Sequence, residues 1–139
     1  MPILNYTTKV DIFTTIGQIQ GILVKHGAKR IVQDYDGEKI VALCFVISTP
    51  IGEQAVRLPA NVKAVQAVLQ KQKVKFDYEQ AERVAWRILK DWVEAQMAIL
   101  ESEMVKMDQI FLPYMMNAEG QTVYELYQSQ QLLLEGRVS

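Results

Sequence analysis

A chain of 139 residues, half of them hydrophobic and 22% charged, has the composition of one globular domain with a single core, and this excludes a disordered polymer. No apolar run reaches the roughly 18 residues needed to span a bilayer, and MPILNYTTKV lacks the basic-then-apolar order of a secretory signal. The net charge of −1 argues against tight non-specific binding to nucleic acid, and a lone cysteine, Cys44, cannot form an intrachain disulfide, which fits a reducing cytoplasm.

In chain order, residues 3–10, ILNYTTKV, read as a short strand rich in β-branched and aromatic residues. A helix follows over TIGQIQGILVKHG. Thr15 and Gln18 have the spacing of a capping box, Ile16, Ile19 and Leu23 make the apolar stripe, and Gly27 stands where a C-terminal glycine stops a helix. Gly17 and Gly21 weaken that helix by about 1 kcal/mol each relative to alanine. They share one face, where another backbone could approach. His26 reads as a helix-end residue favoured by the negative end of the dipole.

The period then changes to two. AKRIVQDY alternates, Asp36-Gly37 signals a hairpin, and KIVALCFVIST is so apolar that it reads as a strand buried on both faces. PIGE turns the chain into QAVRLP, the third strand of a meander. Asn61 can cap a helix over VKAVQAVLQKQ, and QKQKVKF is an exposed connector. Asp77 and Gln80 open a long helix whose pattern runs from about residue 78 to 106. MDQIFLPYMM adds a helical turn broken near Pro113, NAEG turns, and Thr122 with Glu125 opens a last short helix over VYELYQSQQLLL. The expected fold is therefore α+β: an antiparallel three- to four-stranded meander with helices packed on one face and a long C-terminal helical region. One domain spans 1–139, made of a β-α-β-β-β-α module (1–76) and the long helix with short C-terminal helices (77–139).

The long helix carries two apolar stripes. Ala81, Val84, Ala85, Ile88, Trp92, Ala95 and Ile99 make one; Trp86, Leu89, Val93, Met97 and Leu100 make the other, about 120° away. Two stripes call for two covers, either the chain's own C-terminal helices or a second subunit, and the expectation is a homo-oligomer. Between them lies a polar seam of Arg83, Arg87, Lys90, Asp91 and Glu94, in which Arg87 can pair with Asp91 and Lys90 with Glu94. The seam is either a self-neutralising solvated face or a ligand site. A guanidinium fork holds phosphate and an indole stacks on a base, so the candidate ligand-binding residues are Arg83, Trp86, Arg87 and Lys90, with Arg57 and Lys29 as further phosphate contacts. Charge is also uneven. Residues 61–91 hold seven basic against four acidic side chains, net +3, and residues 92–139 two against seven, net −5.

The catalytic motifs are missing. One histidine and one cysteine make no ordinary zinc set, and there is no Walker loop, GxGxxG run or nucleophile–histidine signature. The expectation is a non-enzyme with no metal and no cofactor. The methionine-rich stretch around FLPYMM, with Met104 and Met107, suits packing more than a cofactor site.

The segments ILNYTTKV, LVKHGAK, RLPANV and above all AERVAWRILKDWVEAQ with FLPYM resemble a family of short proteins encoded by phages and integrated mobile elements, over nearly the whole chain. That family has no settled activity, so the resemblance implies no catalytic residues. It implies a mobile-element protein in the cytoplasm of a prokaryotic host cell. Three functions follow as expectations: an oligomer that binds a phosphate-bearing small ligand, such as a nucleotide defence signal sequestered in counter-defence; a single-stranded nucleic-acid binder using Lys63, Lys71, Lys73 and Lys75 with Tyr35 or Phe45 stacking; or an inhibitor that caps a host defence enzyme through an exposed apolar C-terminal patch.

Overall fold

The computed structural model describes residues 2–129. Its order is α1 (Ile12–Lys25), β1 (Lys29–Asp36), β2 (Lys39–Thr49), β3 (Gly52–Pro59), α2 (Val62–Lys71), α3 (Tyr78–Glu101), α4 (Met107–Phe111), a 3-10 turn (Leu112–Tyr114) and α5 (Val123–Gln128). The architecture is α+β, with one antiparallel sheet in the order β1-β2-β3.

The expected strand over residues 3–10 does not form. The segment turns at Asn5, whose φ is +64°, and side chains tie it to helices. Gln72 accepts from the Ile3 amide (2.8 Å), Asn5 donates to Asp91 (2.7 Å), and Gln80 donates to the carbonyls of Tyr6 and Thr8 (both 3.0 Å). Asparagine tolerates the left-handed region that ends extended chain. The strand count is thus three.

α1 starts a turn earlier than its expected capping box. Asp11 accepts from the Phe13 amide (3.0 Å), which places Ile12, Ile16, Ile19 and Leu23 on the inner face. Thr15 is inside the helix and fully buried. Gly27 has φ +98° after the cap at His26, the conformation that glycine supplies without strain. Asn61 caps α2 through the Ala64 amide (3.0 Å) and Asp77 caps α3 through the Gln80 amide (2.8 Å). α3 stops at Glu101, not near 106. Ser102 Oγ donates to the Ile99 carbonyl and Glu103 turns left-handed at φ +64°. Thr122 and Glu125 do form their reciprocal box (3.1 and 2.9 Å). The part of the last helix expected beyond residue 129 lies outside the described residues.

β2 is buried mainly on one side. Leu43, Phe45 and Ile47 face the helices at 0–1% exposure, while Cys44 and Val46 between them are only partly covered. The expectation of burial on both faces fails because the helices pack on one face. On β3, Val56 and Leu58 point inward and Arg57 outward. Beyond β3, Met115 makes an isolated bridge to Val56, and the Met116 amide donates to the Ala55 carbonyl (2.9 Å). The other edge, β1, carries two register irregularities, with Arg30 at φ +54°. Bulges and charges of this kind discourage strand addition at an open edge.

The N-terminal half of the first α3 stripe and most of the second find cover inside the chain. Trp86, Val93 and Met97 are buried in the core, as are Ala81, Val84 and Ala85 of the other stripe. α1 and α2 pack along α3. Phe111 on α4 closes the C-terminal end of the core, edge-on to Phe45 (5.3 Å between centroids) and to Trp92 (5.9 Å). Ile88, Trp92 and Ile99 are half-buried and Ala95 is exposed. The C-terminal half of the first stripe is thus only partly covered among the described residues.

Candidate functional site

The six expected ligand residues do not meet in one pocket. Trp86 has no exposed surface, so it cannot stack on a ligand. It belongs to the core, and its indole N–H has no hydrogen-bond partner among the described residues. Arg87 turns to α1, where it donates to Gln18 (2.6 Å) and, at 3.4 Å, to Thr15. It does not pair with Asp91, which is occupied by Asn5. Lys90 pairs with Glu94 (2.7 Å). Arg57 pairs with Asp34, and Lys29 with Glu53, which also bonds Arg30. These last two lie on the sheet: Arg57 on the face away from the helices, Lys29 at the start of β1. The seam is thus mainly spent on internal partners.

Arg83 is the exception, and it joins residues that the helical pattern had not grouped with it. A groove of about 550 Å³ runs between the N-terminal turn, the connector after α2 and the first turns of α3. Tyr6, Lys9, Lys75, Phe76, Gln80 and Arg83 are among its lining residues, with Asp77 as its one acid. Gln80 builds it. Its amide nitrogen holds the turn at Tyr6 and Thr8, and its oxygen accepts from Arg83 Nη2 (2.6 Å) and Nε (3.1 Å). The guanidinium is therefore oriented by a neutral group and keeps its charge. Among the described residues no carboxylate lies within ion-pair distance of Lys9, Lys75 or Arg83. Tyr6 (37% exposed) and the half-buried Phe76 give the groove aromatic surface.

The chemistry available is recognition of an anion bearing a planar group: three cations for phosphate oxygens, two rings for stacking. Asp77 opposes an anion at one end, but its carboxylate is engaged with the α3 amide of Gln80. Lys71, the last residue of α2, and Lys73, on the connector that leads into the groove, stand exposed.

Burial pushes the Cys44 thiol up, against the lowering effect of Arg57 beside it, and a thiol so shifted is a weak nucleophile. Burial also raises Glu82, with Lys39 opposing. Hydrogen bonds from Lys29 and Arg30 hold Glu53 down to about 2. His26 Nδ1 donates to the Ile22 carbonyl and Nε2 lies against Glu101, each at 2.8 Å, so the ring fastens the end of α1 to the end of α3. Among the described residues no three histidine, cysteine, aspartate or glutamate side chains cluster as a metal site would need, and no helix is long and apolar enough to cross a membrane.

A second, apolar cleft of about 440 Å³ lies between α2 and α3, walled by Val65, Val68, Ile88, Trp92 and Tyr114. Of the methionines, Met97 and Met115 are in the core and Met107 and Met116 are partly covered, while Met104 is exposed. Most of the methionine-rich run thus packs inward, while Met104, Leu112, Tyr124 and Tyr127 of the C-terminal part are exposed. Phe45, offered above as a stacking residue, is 1% exposed and cannot serve.

Comparison with models of known families, with curated proteins and with solved structures finds no match.

Proposed function

We propose that the protein is a binding protein for a phosphate-bearing ligand, held in the groove between the N-terminal turn and α3. One observation carries the reading: Lys9, Lys75 and Arg83, none of them neutralised by a carboxylate among the described residues, line a single groove that also holds Tyr6 and Phe76. In the mobile-element setting that the resemblance implies, the ligand would be a nucleotide, and binding would remove a defence signal from solution.

The groove is open, and Lys73 and Lys71 continue its basic rim. That feature favours a second reading, in which a single-stranded nucleic acid lays its backbone along the rim. Salt separates the two. Each phosphate contact on a single strand contributes about 0.7 to the slope of log K against log salt, so an oligonucleotide touching four or five cations loses affinity steeply while a mononucleotide loses little.

The test begins with native mass spectrometry of the purified protein, to identify any nucleotide it carries. Titration with ATP and with oligothymidine follows. Loss of one charge-assisted hydrogen bond costs about 1.5–3 kcal/mol, tenfold or more in affinity. Arg83→Ala and Lys75→Ala are each expected to weaken the preferred ligand by that factor, and Arg87→Ala to leave it unchanged. Equal loss from Arg87→Ala, or none from Arg83→Ala, rejects the groove.

A further inference from the structure

α1 holds two glycines that its own chain does not explain. Gly17 and Gly21 sit mid-helix at ordinary helical φ, and among the described residues nothing lies within 4 Å of where a Cβ would stand on either. Neither a strained backbone nor a close neighbour in the chain requires glycine. Each costs the helix about 1 kcal/mol relative to alanine. At 100° per residue, Phe13, Gly17, Gly21 and Val24 fall within an arc of about 80° on the face away from Ile16, Ile19 and Leu23. Phe13 and Val24, at the two ends of that face along the helix axis, are 53% and 58% exposed. The face is a shallow apolar saddle, bare in the middle and raised at both ends.

The spacing is self-complementary. An antiparallel two-fold passing between residues 18 and 19 sets Phe13 opposite Val24 of the second copy and brings Gly17 within one residue's rise, about 1.5 Å, of facing Gly21 of the second copy. The flanking charges follow the same operation. Asp11 at the start of α1 comes within one residue's rise of Lys25 at the end of the second copy's α1, and neither is in an ion pair among the described residues. A face that matches itself with opposite charges at its ends is what an isologous contact requires. We propose that this face of α1 packs against α1 of a second copy of the chain. The glycine pair lets the two axes come closer than the usual 8–10 Å, and the large apolar side chains close over each end. This inference is independent of the phosphate groove, which lies on other elements, and it places the contact on α1 instead of the long helix. One 14-residue helix buries less than the roughly 1,200–2,000 Å² of a standard interface, so the dimer is weak, with Kd on the order of 10–100 μM.

Sedimentation equilibrium of the full chain from about 1 μM to about 1 mM brackets that Kd. The wild type is expected to pass from the mass of one chain to that of two. The double variant Gly17→Gln, Gly21→Gln is expected to stay monomeric, with a melting temperature no lower than wild type, since the added side chains meet open space in the monomer and favour helix. A carbodiimide couples carboxylate to amine with no spacer. Asp11 and Lys25 are about 21 Å apart along one helix, so an Asp11–Lys25 cross-link forms only between copies, and it is expected in the wild type alone. A wild type that is monomeric throughout, a dimer that survives in the double variant, or a dimer without the Asp11–Lys25 link would each overturn the proposal.

Discussion

Replacing Gln80 by alanine isolates the device that builds the groove. Two donor bonds, to the carbonyls of Tyr6 and Thr8, and two acceptor bonds from Arg83 are lost together. All four lie near the surface, where water replaces part of each bond, so the donor pair stands at the low end of 0.5–1.5 kcal/mol per bond, about 1–2 kcal/mol in all. That is too little to unfold a domain of ordinary stability, 5–15 kcal/mol. The same segment is also tied by Ile3 to Gln72 and by Asn5 to Asp91, so only the turn over residues 6–9 is freed. Amide exchange reads this directly. The amides of Tyr6 and Thr8 donate to Ile3 and Asn5 within the turn, and loosening by 1–2 kcal/mol speeds their exchange about 5- to 30-fold. Amides in the middle of α3 are expected to change far less. Gln80→Glu sharpens the contrast: it can still hold Arg83 but faces the two carbonyls with an acceptor, so the turn loosens and the guanidinium is neutralised. Unchanged exchange at Tyr6 and Thr8 in Gln80→Ala would refute the argument that this side chain holds the groove in shape.

Other expectations concern the core. Phe111→Ala removes a fully buried ring packed edge-on to Phe45 and Trp92 and is expected to cost about 3–5 kcal/mol in urea unfolding; a cost under about 1 kcal/mol would mean that the C-terminal elements fold apart from the sheet. Trp86→Phe gives up ring volume but also the buried N–H that has no partner among the described residues, an orphan worth about 1–3 kcal/mol. It is expected to lie far closer to wild type than Trp86→Ala, and equal losses would show that the N–H is satisfied. For Glu82, burial raises the folded pKa above the ordinary 4.5. The stability linked to its proton is therefore complete below that value and lost as pH rises through the folded pKa. Glu82→Gln should unfold at higher urea than wild type at pH 7, with the gap closing toward pH 4.5; a gap that is constant with pH would remove the linkage.

The parts of the fold that were legible in the sequence are those with local causes. Asn61, Asp77 and Thr122 cap the helices they were expected to cap, because an oxygen two or three residues from an open amide needs no tertiary help. The Asp36-Gly37 signal and the apolar run after it gave the meander. What failed depended on distant partners. ILNYTTKV has strand composition, but a strand forms only against another, and the chain instead offers Gln72, Gln80 and Asp91 as anchors. The apolar content of KIVALCFVIST suggested two covered faces, whereas the number of helices available left one face open. α1 was placed a turn late because Thr15 looks like a cap, and only its burial against α3 shows that it is not one.

The candidate site shifted for a related reason. A helical projection states which side chains of α3 share a direction, but not what stands in that direction. Trp86 shares one with Val93 and Met97, and that direction is the core. Arg87 and Lys90 point toward α1 and Glu94, where they are satisfied. Arg83 differs because the element beside it, the N-terminal turn, brings a lysine and no acid. Lys9 is 66 residues from Lys75 and 74 from Arg83 in sequence, and no spacing rule links it to either. A partial signal was present in the composition: residues 61–91 carry a net +3, and excess charge of one sign within a short span leaves some cations without internal partners. Which cations remain free follows from the fold, since Asp34, Glu53 and Glu94 pair with Arg57, Lys29 and Lys90. The unspent charge is therefore concentrated where the two termini of the β-α module meet, and that concentration, more than the arginine–tryptophan spacing on α3, is the physical reason to look for an anion there.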